Sequence, residues 1–389
     1  MSYGIICEYN PFHNGHLYQI NRIKEESDEP IICVMSGNFT QRGELAVLDK
    51  YTRAALAVRC GADLVLELPF PFCASSAEFF AQAGVRILSL CGVDKLSFGS
   101  ECADAERLTS LAKLASSEEF LAVYSEKAKG TGNARAYFDT LSALLGKETQ
   151  ISSNDILGIE YIKAIIQNGY DITPCPIKRT GAQYREETLS DGQNPSATAV
   201  RGELFCGNVE NIKDFVPTVC YDALKQGDIA DIKNIERGIL LSLRLLKEED
   251  CEGVAVSDSG LVNRIIQCAK DASSYSEFEE SVKCKKYTDS AIRRAMWYML
   301  TGVASADLKL GPAYTNLLAA NERGRAILSE ARKREMPVPI ITKPADAAAL
   351  KGAAQRQAEL SLRADAIYSL ASTNAMPSAE YIRKKPIII

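Results

Sequence analysis

The first two hundred residues alternate short apolar runs with amphipathic stretches, and this alternation limits the fold more than any other feature of the sequence. The apolar runs that fit buried strands are YGIICEY, PIICVMS, DLVLELP and DKLSFGSE. Between the first two, apolar residues recur at helical spacing at Leu17, Ile20 and Ile23, which predicts a helix from about Gly15 to Glu26. Strands that alternate with helices form βαβ units, so we expect an α/β fold with a parallel sheet covered on both faces.

Two further predicted helices carry their own start and stop signals. The segment DKYTRAALAVRCG has Asp49 near its start and Gly61 just past its end. The segment NDILGIEYIKAIIQNG has Asn154 or Asp155 as its cap and Gly169 as its stop. The other elements predicted in this part are a helix over SAEFFAQAGVRILSLCG, a helical segment at 104–150 and a strand in DITPCPIKRTG.

The character of the sequence changes after about Phe205. Helical patterns dominate from there, including one predicted helix over AYTNLLAANERGRAILSEARKRE, and MPVPIITK is the exceptional strand-like run. We therefore expect an α/β domain over 1–205 and a mostly α-helical domain over 206–389. The polar stretch from Arg179 to Ser196 is typical of a surface loop.

Composition excludes some classes of protein. The formal net charge of −5 gives no global basic field, so a nucleic-acid partner would have to meet a local basic patch. The 12 cysteines show no CxxC pair and no Cys/His metal spacing, which indicates reduced thiols in a cytosolic protein. We see neither a secretory signal nor a run of about 18 apolar residues, so we expect a cytoplasmic protein without a membrane segment.

Both histidines of the chain, His13 and His16, lie in the string EYNPFHNGHL directly after the first predicted strand. A strand-to-helix turn in a parallel sheet lies at the carboxyl end of the strands, where ligands bind. The helix N-terminus offers free N–H groups, and Gly15 lets an anion approach the backbone. Two imidazoles three residues apart share one side of the first turn, which favours a phosphate site where they stabilise charge in a transition state.

Two other interpretations of these histidines are open. Histidines at such a position are ordinarily capping or surface residues, and imidazole also binds zinc. The nearest thiol and carboxylate, Cys7 and Glu8, offer no convincing spacing for further ligands. We therefore expect no metal on these residues.

The strand–turn–HxGH–helix pattern resembles the HIGH-type nucleotidyltransferase superfamily, which implies a Rossmann-like domain and attack on the α-phosphate of a nucleoside triphosphate. That superfamily carries a second motif, similar to ISSTxxR, near the end of the domain. The string NPSATAVRGEL matches it, with Ser196, Thr198 and Arg201 in the corresponding places. An arginine that enters a helix beside such donors can hold β- and γ-phosphate oxygens, although a capping serine with a solvated arginine has the same spacing.

Longer strings narrow the resemblance to one family. Those strings are EYNPFHNGHLYQI, MSGNFTQRGELAVLDKYTRA, GADLVLELPF, SFGSE, NDILGIEYIKA, IKRTGAQY, AANERGRAIL, PIITK and DAIYSL. In these strings the chain resembles the bacterial tRNA(Met) cytidine acetate ligase family. The resemblance implies that ATP activates acetate as acetyl-adenylate, without acetyl-CoA, and that the acetyl group passes to N4 of the wobble cytidine of elongator tRNA(Met).

The resemblance also implies an ATP site. Its first segment surrounds the phosphates and comprises Cys7, Glu8, Tyr9, Asn10, Pro11, Phe12, His13, Asn14, Gly15, His16, Leu17, Tyr18, Gln19 and Ile20. Its remaining contacts are Gly99, Asn154, Arg179, Thr180, Ser196, Thr198 and Arg201. From the residues alone, Gly99 is equally well a turn glycine, Asn154 a helix cap and Arg179 a solvated charge.

In the implied mechanism, the catalytic residues His13 and His16 stabilise charge on the phosphates as an acetate oxygen attacks. Pyrophosphate is neutralised by Lys178, Arg179 or Arg201. Mg²⁺ accompanies the ATP and is bound mainly by phosphate oxygens.

The string GNFTQRGELA supplies two more candidates, Asn38 and Arg42, as contacts to acetate or nucleotide. The sequence does not choose between them. Leu45 stands where proline is common in the family, which suggests a changed loop backbone rather than lost chemistry.

Local basic runs in the second domain are the candidates for tRNA binding. They are Lys283, Lys285, Lys286, Arg293, Arg294, Arg332, Lys333, Arg334, Arg383, Lys384 and Lys385. Short basic runs are more often solvated faces, so the assignment is open for each of them.

Two alternatives stand beside the tRNA-acetylating ligase. A small-molecule adenylyltransferase or cytidylyltransferase would share the first domain, but such enzymes usually need far less chain. A non-catalytic RNA-binding protein with a degraded nucleotide fold is the other alternative, and the intact His13, His16 and Arg201 argue against it.

Overall fold

The computed structural model describes residues 1–128, 133–146, 151–179, 196–256, 258–333 and 337–389, and these ranges form a mixed α/β fold around one sheet. The strands are β1 Tyr3–Cys7, β2 Ile31–Ser36, β3 Leu64–Leu68, β4 Lys95–Ser100, β5 Thr173–Lys178, β6 Thr315–Ala320, β7 Ile340–Ile341 and β8 Ile387–Ile388.

Helices cover both faces of this sheet and make up most of the second half of the chain. Those of the first half are α1 Asn14–Glu26, α2 Lys50–Arg59, α3 Ala77–Leu90, α4 Ala105–Ala115, α5 Glu118–Ala128, α6 Asn133–Leu145, α7 Ser153–Asn168 and α8 Ala197–Phe205. Those of the second half are α9 Thr218–Gln226, α10 Glu236–Leu245, α11 Ser259–Asp271, α12 Tyr275–Val282, α13 Asp289–Thr301, α14 Ser305–Lys309, α15 Glu322–Lys333, α16 Gly352–Tyr368 and α17 Ser378–Tyr381.

The strand order places a ligand crevice beside the histidine turn. The sheet runs β5-β4-β1-β2-β3-β6-β7, with β8 paired to β6, and the first five strands are parallel. The chain winds outward from β1 in both directions, as in a Rossmann fold, so the switch point lies between β1 and β4. Every residue of β1, β2 and β3 is buried, as expected for strands with helices on both faces. The predicted α/β fold with a parallel sheet is therefore confirmed.

The start and stop signals predicted both ends of α2 correctly, but for α7 they predicted only the C-terminal end correctly. Asp49 caps α2 by accepting from two backbone N–H groups, and α7 ends at Gly169 in the left-handed region with φ +63°. The cap of α7 is Ser152, however, not Asn154 or Asp155. Asp155 instead accepts from the Glu101 N–H at 3.2 Å, because its side chain is directed at the end of β4.

The largest error of sequence reading lies in AYTNLLAANERGRAILSEARKRE, which was predicted as one helix. Its first part is β6, antiparallel to β3, and only the part from Glu322 onward is helical, as α15. Pairing with the open edge of β3 outweighs the helix propensity of Leu and Ala. Asn321 marks the change, since its Oδ1 accepts from the Gly324 N–H at 2.9 Å and its Nδ2 donates to Asp63 at 2.8 Å.

The second part of the chain is mostly helical, as predicted, and MPVPIITK does contain the short strand β7. Three strands of this part, β6, β7 and β8, nevertheless extend the sheet of the first part. The division at 205–210 stays a prediction. None of the helices in the described ranges is long and apolar enough to cross a bilayer.

Candidate active site

The histidine turn connects β1 to α1 at the carboxyl edge of the sheet. Its backbone is unusual at Tyr9, which has φ +47°, a left-handed conformation that is uncommon for an aromatic residue. Asn10 holds the turn to the loop after β2, because its Oδ1 accepts from the Val47 N–H at 2.8 Å. Buried Arg53 on α2 donates through Nη1 to the Glu8 carbonyl oxygen. The turn is thus fixed from two neighbouring segments before α1 begins.

The two imidazoles lie together at the start of α1, with ring centroids 3.7 Å apart. His13 is the N-cap, and its Nδ1 accepts from the Gly15 N–H at 3.0 Å. Nδ1 of His16 accepts from the His13 N–H at 3.2 Å. Since each Nδ1 is an acceptor, we assign the proton of each neutral ring to Nε2. Within the ranges that the structure covers, neither Nε2 has a protein acceptor, so both N–H groups are available to a ligand.

Burial keeps both rings neutral in the absence of an anion. It lowers the pKa of His13 to about 3, and the charges of Arg179 and Arg201 act in the same direction. Burial also lowers the pKa of His16, with smaller contributions from His13 and Arg179. At neutral pH the turn therefore presents two uncharged N–H donors, with two arginines close by, to an incoming anion.

Arg201, the last residue of the predicted second motif, reaches this turn from α8. Its Nη1 donates to the Asn10 carbonyl oxygen at 2.9 Å, and its Nη2 donates to Glu44 at 2.9 Å. Ser196 caps α8 by accepting from the Ala199 N–H at 3.0 Å, and Thr198 Oγ1 lies 3.4 Å from Arg201 Nη2. The structure therefore brings the two sequence motifs together.

Two carboxylates lie among these cations. Oε1 of Glu8 accepts from the Gln41 N–H at 2.6 Å. Burial raises the pKa of Glu8 and the charge of Glu44 adds to this, while Arg201 and Arg42 oppose it. Arg42 thus acts electrostatically on the turn, and its contact with acetate or nucleotide stays a prediction.

On the other side of the crevice, the predicted contacts Asn154 and Arg179 converge on one carboxylate. Glu101, just after β4, accepts from Asn154 Nδ2 at 2.7 Å, forms an ion pair with Arg179 Nε at 3.3 Å, and also accepts from Ser152 Oγ. A Cβ on Gly99 would lie 3.2 Å from Arg179 Cγ, so the glycine lets the arginine cross the strand end closely.

Glu101 is the last residue of the string SFGSE, but it was not predicted as a site residue. An acidic residue at the carboxyl end of a strand beside the switch point was the signal that could have identified it. Thr180 falls outside the described residues.

The other members of the predicted 7–20 segment divide by burial. Cys7, Tyr9, Phe12 and Ile20 are core side chains, which makes any nucleotide contact from them secondary to packing. Three residues make contacts within the protein or pack on its core: Asn14 donates to the Asp214 carbonyl oxygen at 2.8 Å, Gln19 donates to Ser97 Oγ at 3.1 Å, and Leu17 packs beside the core. Pro11 is buried, and Tyr18 is half-buried. The binding roles of all these residues stay predictions.

Asn38 is fully engaged inside the protein. Its Nδ2 donates to Asp365 at 2.8 Å and to the Tyr381 hydroxyl at 2.6 Å, and its Oδ1 accepts from the Lys50 N–H at 3.0 Å. With 2% of its surface exposed, Asn38 has a structural role here. A contact between Asn38 and acetate or nucleotide stays a prediction that this geometry does not favour.

The candidate tRNA-binding residues have different surroundings. Arg293 and Arg294 donate to backbone oxygens of the loop after β2, so their side chains are committed to structure. Four others pair at the surface, as Lys283–Glu280, Lys286–Asp258, Lys333–Glu330 and Lys384–Asp49. Arg332 donates to Thr342, whereas Lys285, Arg383 and Lys385 are exposed. Arg334 lies outside the described residues, and tRNA contact stays a prediction throughout.

A protein-built metal site is not visible in the part of the chain that the structure describes. No group of three or more His, Cys, Asp or Glu side chains there is arranged to hold a metal ion.

Known proteins similar to this chain match it over nearly its whole length. The profile of the HIGH Nucleotidyl Transferase family matches residues 1–381. The chain is 34% identical over 402 residues to the tRNA(Met) cytidine acetate ligase of Clostridium perfringens, and this match covers 97% of each protein. It is 37% identical over 361 residues to the protein of the same name from Thermosipho africanus, covering 88% of this chain and 84% of that one.

Solved structures give a comparable match. The crystal structure of Thermotoga maritima TmcAL in its apo form I has a TM-score of 0.92 at 32% sequence identity, with 100% of both chains covered. The form of that protein bound with alpha-thio ATP has a TM-score of 0.89 and covers 100% of this chain and 99% of that one. The similarity therefore includes the helical second part as well as the sheet.

Proposed function

The chain belongs to the HIGH nucleotidyl transferase family and, within it, to the family of tRNA(Met) cytidine acetate ligases, and on that premise we propose that it acetylates the wobble cytidine of elongator tRNA(Met) with ATP and acetate. The observation that carries the proposal is the pair of neutral imidazoles at the start of α1, beside Arg201 and near Arg179. Such an arrangement of N–H donors and cations suits a triphosphate.

ATP occupies the crevice between β1 and β4 in this proposal. Its phosphates lie against the N-terminus of α1, where the Nε2–H groups of His13 and His16 donate to phosphate oxygens. Arg201 binds the outer phosphates from the β2 side, and Arg179 approaches from β5. The alpha-thio ATP complex of the Thermotoga maritima protein supports a nucleotide site in a chain of this shape.

The first step activates acetate. A carboxylate oxygen of acetate attacks the α-phosphorus, the bond from that phosphorus to the bridging oxygen of the β-phosphate breaks, and pyrophosphate leaves with the electron pair. The imidazole donors stabilise the charge that develops on the α-phosphate oxygens, and the arginines stabilise pyrophosphate. Lys178, whose ammonium group donates to the Glu101 carbonyl oxygen, is close to this site but is held by the backbone.

The second step transfers the acetyl group. N4 of the cytidine attacks the acetyl carbonyl carbon of acetyl-adenylate, AMP leaves, and one N4 proton is released to solvent. The product is N4-acetylcytidine. Because acetate enters as acetyl-adenylate, the scheme uses no acetyl-CoA and no protein nucleophile, and tRNA as substrate implies action in the cytoplasm.

Mg²⁺ fits this site as a companion of ATP rather than as an ion held by the protein. The phosphate-facing groups of the turn are imidazole and guanidinium donors, which suit anionic oxygens and not a cation, so the ligands of Mg²⁺ would be phosphate oxygens. Bound there, the ion would supply charge neutralisation on the leaving pyrophosphate.

A small-molecule adenylyltransferase or cytidylyltransferase is the alternative with the same first part. The relatives that match across the helical second part favour the tRNA-acetylating activity over it. The non-catalytic alternative is disfavoured by the convergence of His13, His16 and Arg201 on one turn.

Two assays test the proposed function. The protein should exchange labelled pyrophosphate into ATP only when acetate is present. Incubation with ATP, isotopically labelled acetate and unmodified tRNA(Met) should yield labelled N4-acetylcytidine in mass spectrometry of the nucleosides. Absence of acetate-dependent exchange, or acetylation that requires acetyl-CoA, would overturn the proposal.

A further inference from the structure

The loop between β2 and α2 lies against the histidine turn on one side and against α13 on the other. Three side chains of α13 donate to consecutive carbonyl oxygens of this loop: Arg294 to Gln41 at 3.1 Å, Arg293 to Arg42 at 3.1 Å, and Trp297 to Gly43 at 2.7 Å. The helical second part of the chain therefore contributes three hydrogen bonds that hold this loop in place.

Glu44 follows these three residues and connects the loop to the phosphate site. Its Oε2 accepts from Arg201 Nη2 at 2.9 Å, while its Oε1 lies 3.7 Å from Arg293 Nη2. Arg293 pairs in turn with Glu279 at 2.7 Å. A single carboxylate is thus shared between the arginine of the second sequence motif and an arginine of α13.

The pairing leaves part of the Arg201 guanidinium available. A guanidinium has five N–H donors. In the residues that the structure describes, Nη1 donates one N–H to the carbonyl oxygen of Asn10, and Nη2 donates to Glu44 and Thr198. The Nε–H and the second Nη1–H have no protein acceptor among those residues. Glu44 therefore fixes the plane of the group without occupying all of its donors.

We propose that Glu44 is a positioning residue that holds Arg201 at the phosphate site. The inference rests on the proposed function, which places ATP phosphates beside Arg201. A guanidinium that is oriented before the ligand arrives loses less conformational freedom on binding. Glu44 itself does not touch the nucleotide.

The experiment measures the Kd for ATP by calorimetry, without acetate or tRNA, in the wild type and in E44Q, E44D and E279Q. E44Q should bind ATP about 10-fold more weakly, because Arg201 loses its charged anchor. E44D keeps the carboxylate and should recover part of the affinity. E279Q is the matched control, since Glu279 contacts Arg293 but not Arg201, and its Kd should stay within about twofold of the wild type.

A double-mutant cycle separates positioning from general support of the loop. In an R201A background, E44Q should change the Kd by less than about twofold, since the residue that it positions is gone. Trp297 is the single tryptophan of the chain and its indole binds the loop, so its emission shows whether that contact persists in each variant.

Three results would overturn the inference: an unchanged Kd in E44Q, equal losses in E44Q and E279Q, or a full E44Q effect in the R201A background. Wild-type protein that does not bind ATP would overturn it as well. Wild-type protein that binds ATP but lacks acetate-dependent exchange would overturn the proposed function alone, and the comparison of Kd values would still decide the role of Glu44.

Discussion

The ammonium group of Lys50, at the start of α2, lies 2.8 Å from Oδ2 of Asp365 on α16, a residue 315 positions later in the chain. Oε1 of Glu67 accepts from the same ammonium at 2.9 Å. All three groups are buried, and the side chain of Lys50 is 2% exposed. This ion cluster holds α16 against the carboxyl end of β3, which lies two strands away from β1 and its histidine turn.

Removing the ammonium group of this cluster should destabilise the fold. Lys50→Met leaves the carboxylates of Glu67 and Asp365 buried without a cation between them, and breaking a buried ion pair in this way costs about 3 kcal/mol. Urea unfolding followed by the emission of Trp297 measures the change. Asp346→Asn, at an exposed position, is the control and should alter the free energy of unfolding by less than about 0.5 kcal/mol. Equal stabilities of the two variants would contradict the prediction.

His13 should make the stability of the protein depend on pH. Its pKa is about 3 in the folded protein and about 6.5 in an unfolded chain. Between these values the unfolded chain binds a proton that the folded protein does not, so the free energy of unfolding decreases as the pH falls. Above about pH 6.5 the contribution is complete.

His13→Gln therefore should flatten the dependence by about 1.4 kcal/mol per pH unit between about pH 4 and pH 6. Urea unfolding at a series of pH values measures both slopes. Arg22→Gln, an exposed change on the same helix, should keep the wild-type slope. The prediction fails if the His13 variant and the wild type have parallel curves.

Loss of either imidazole should slow adenylation strongly. His13→Ala and His16→Ala each remove a donor aimed at a developing charge, and each should lower kcat of acetate-dependent exchange by about 100-fold. The double variant should lose less than the product of the two, because the rings act as a unit. Initial exchange rates give the numbers, with Arg22→Gln as the unchanged reference. Wild-type turnover by the double variant would contradict the mechanism.

Local signals predicted the strand, turn and helix around His13 correctly. An apolar run, a polar cap and the helical spacing of Leu17, Ile20 and Ile23 all lie within about twenty residues, so sequence periodicity contains them. The strand β6 was missed because its apolar residues lack a distinctive period. Its pairing with β3 joins segments some 250 residues apart, and a local pattern does not record such a contact.

The same difference between local signals and long-range contacts explains which site residues could be predicted. His13, His16 and Arg201 could be selected as candidates from the sequence because each stands in a motif with a local chemical reason. Arg293 and Arg294 were assigned to tRNA by charge alone, but their acceptors are backbone oxygens of a loop that is about 250 residues away in sequence. No run of neighbouring residues could indicate those partners.

Gly43 should tolerate a side chain less well than Gly207, which also has a positive φ. Gly43 has φ +74°, and an added Cβ would lie 2.9 Å from Arg293 Cβ and 3.1 Å from the Arg294 nitrogen. Gly207 has φ +80° with open space around the same position. Gly207→Ala should cost about 1 kcal/mol from backbone strain alone, and Gly43→Ala about 1–2 kcal/mol more from overpacking.

Urea unfolding of the two glycine variants checks this difference. Only Gly43→Ala should also weaken ATP binding, because it moves the loop that carries Glu44. Equal decreases in the free energy of unfolding of the two variants would show that α13 shifts to accommodate the added methyl group without further destabilisation.

Glu101 should govern how well ATP binds. Its carboxylate holds both Asn154 and Arg179 at the far side of the crevice, and Glu101→Gln replaces one acceptor oxygen by an amide donor that faces these donors. Both side chains should then sample other positions before ATP arrives.

The expected result is a KM for ATP about 10-fold higher in the exchange assay, with kcat within about threefold, because the loss falls equally on the bound ground state and the transition state. Glu106→Gln, at an exposed position at the start of α4, is the matched control and should leave both constants unchanged. If kcat fell and KM stayed the same, Glu101 would instead act in the chemical step. An interaction that is made only in the transition state changes kcat without changing KM.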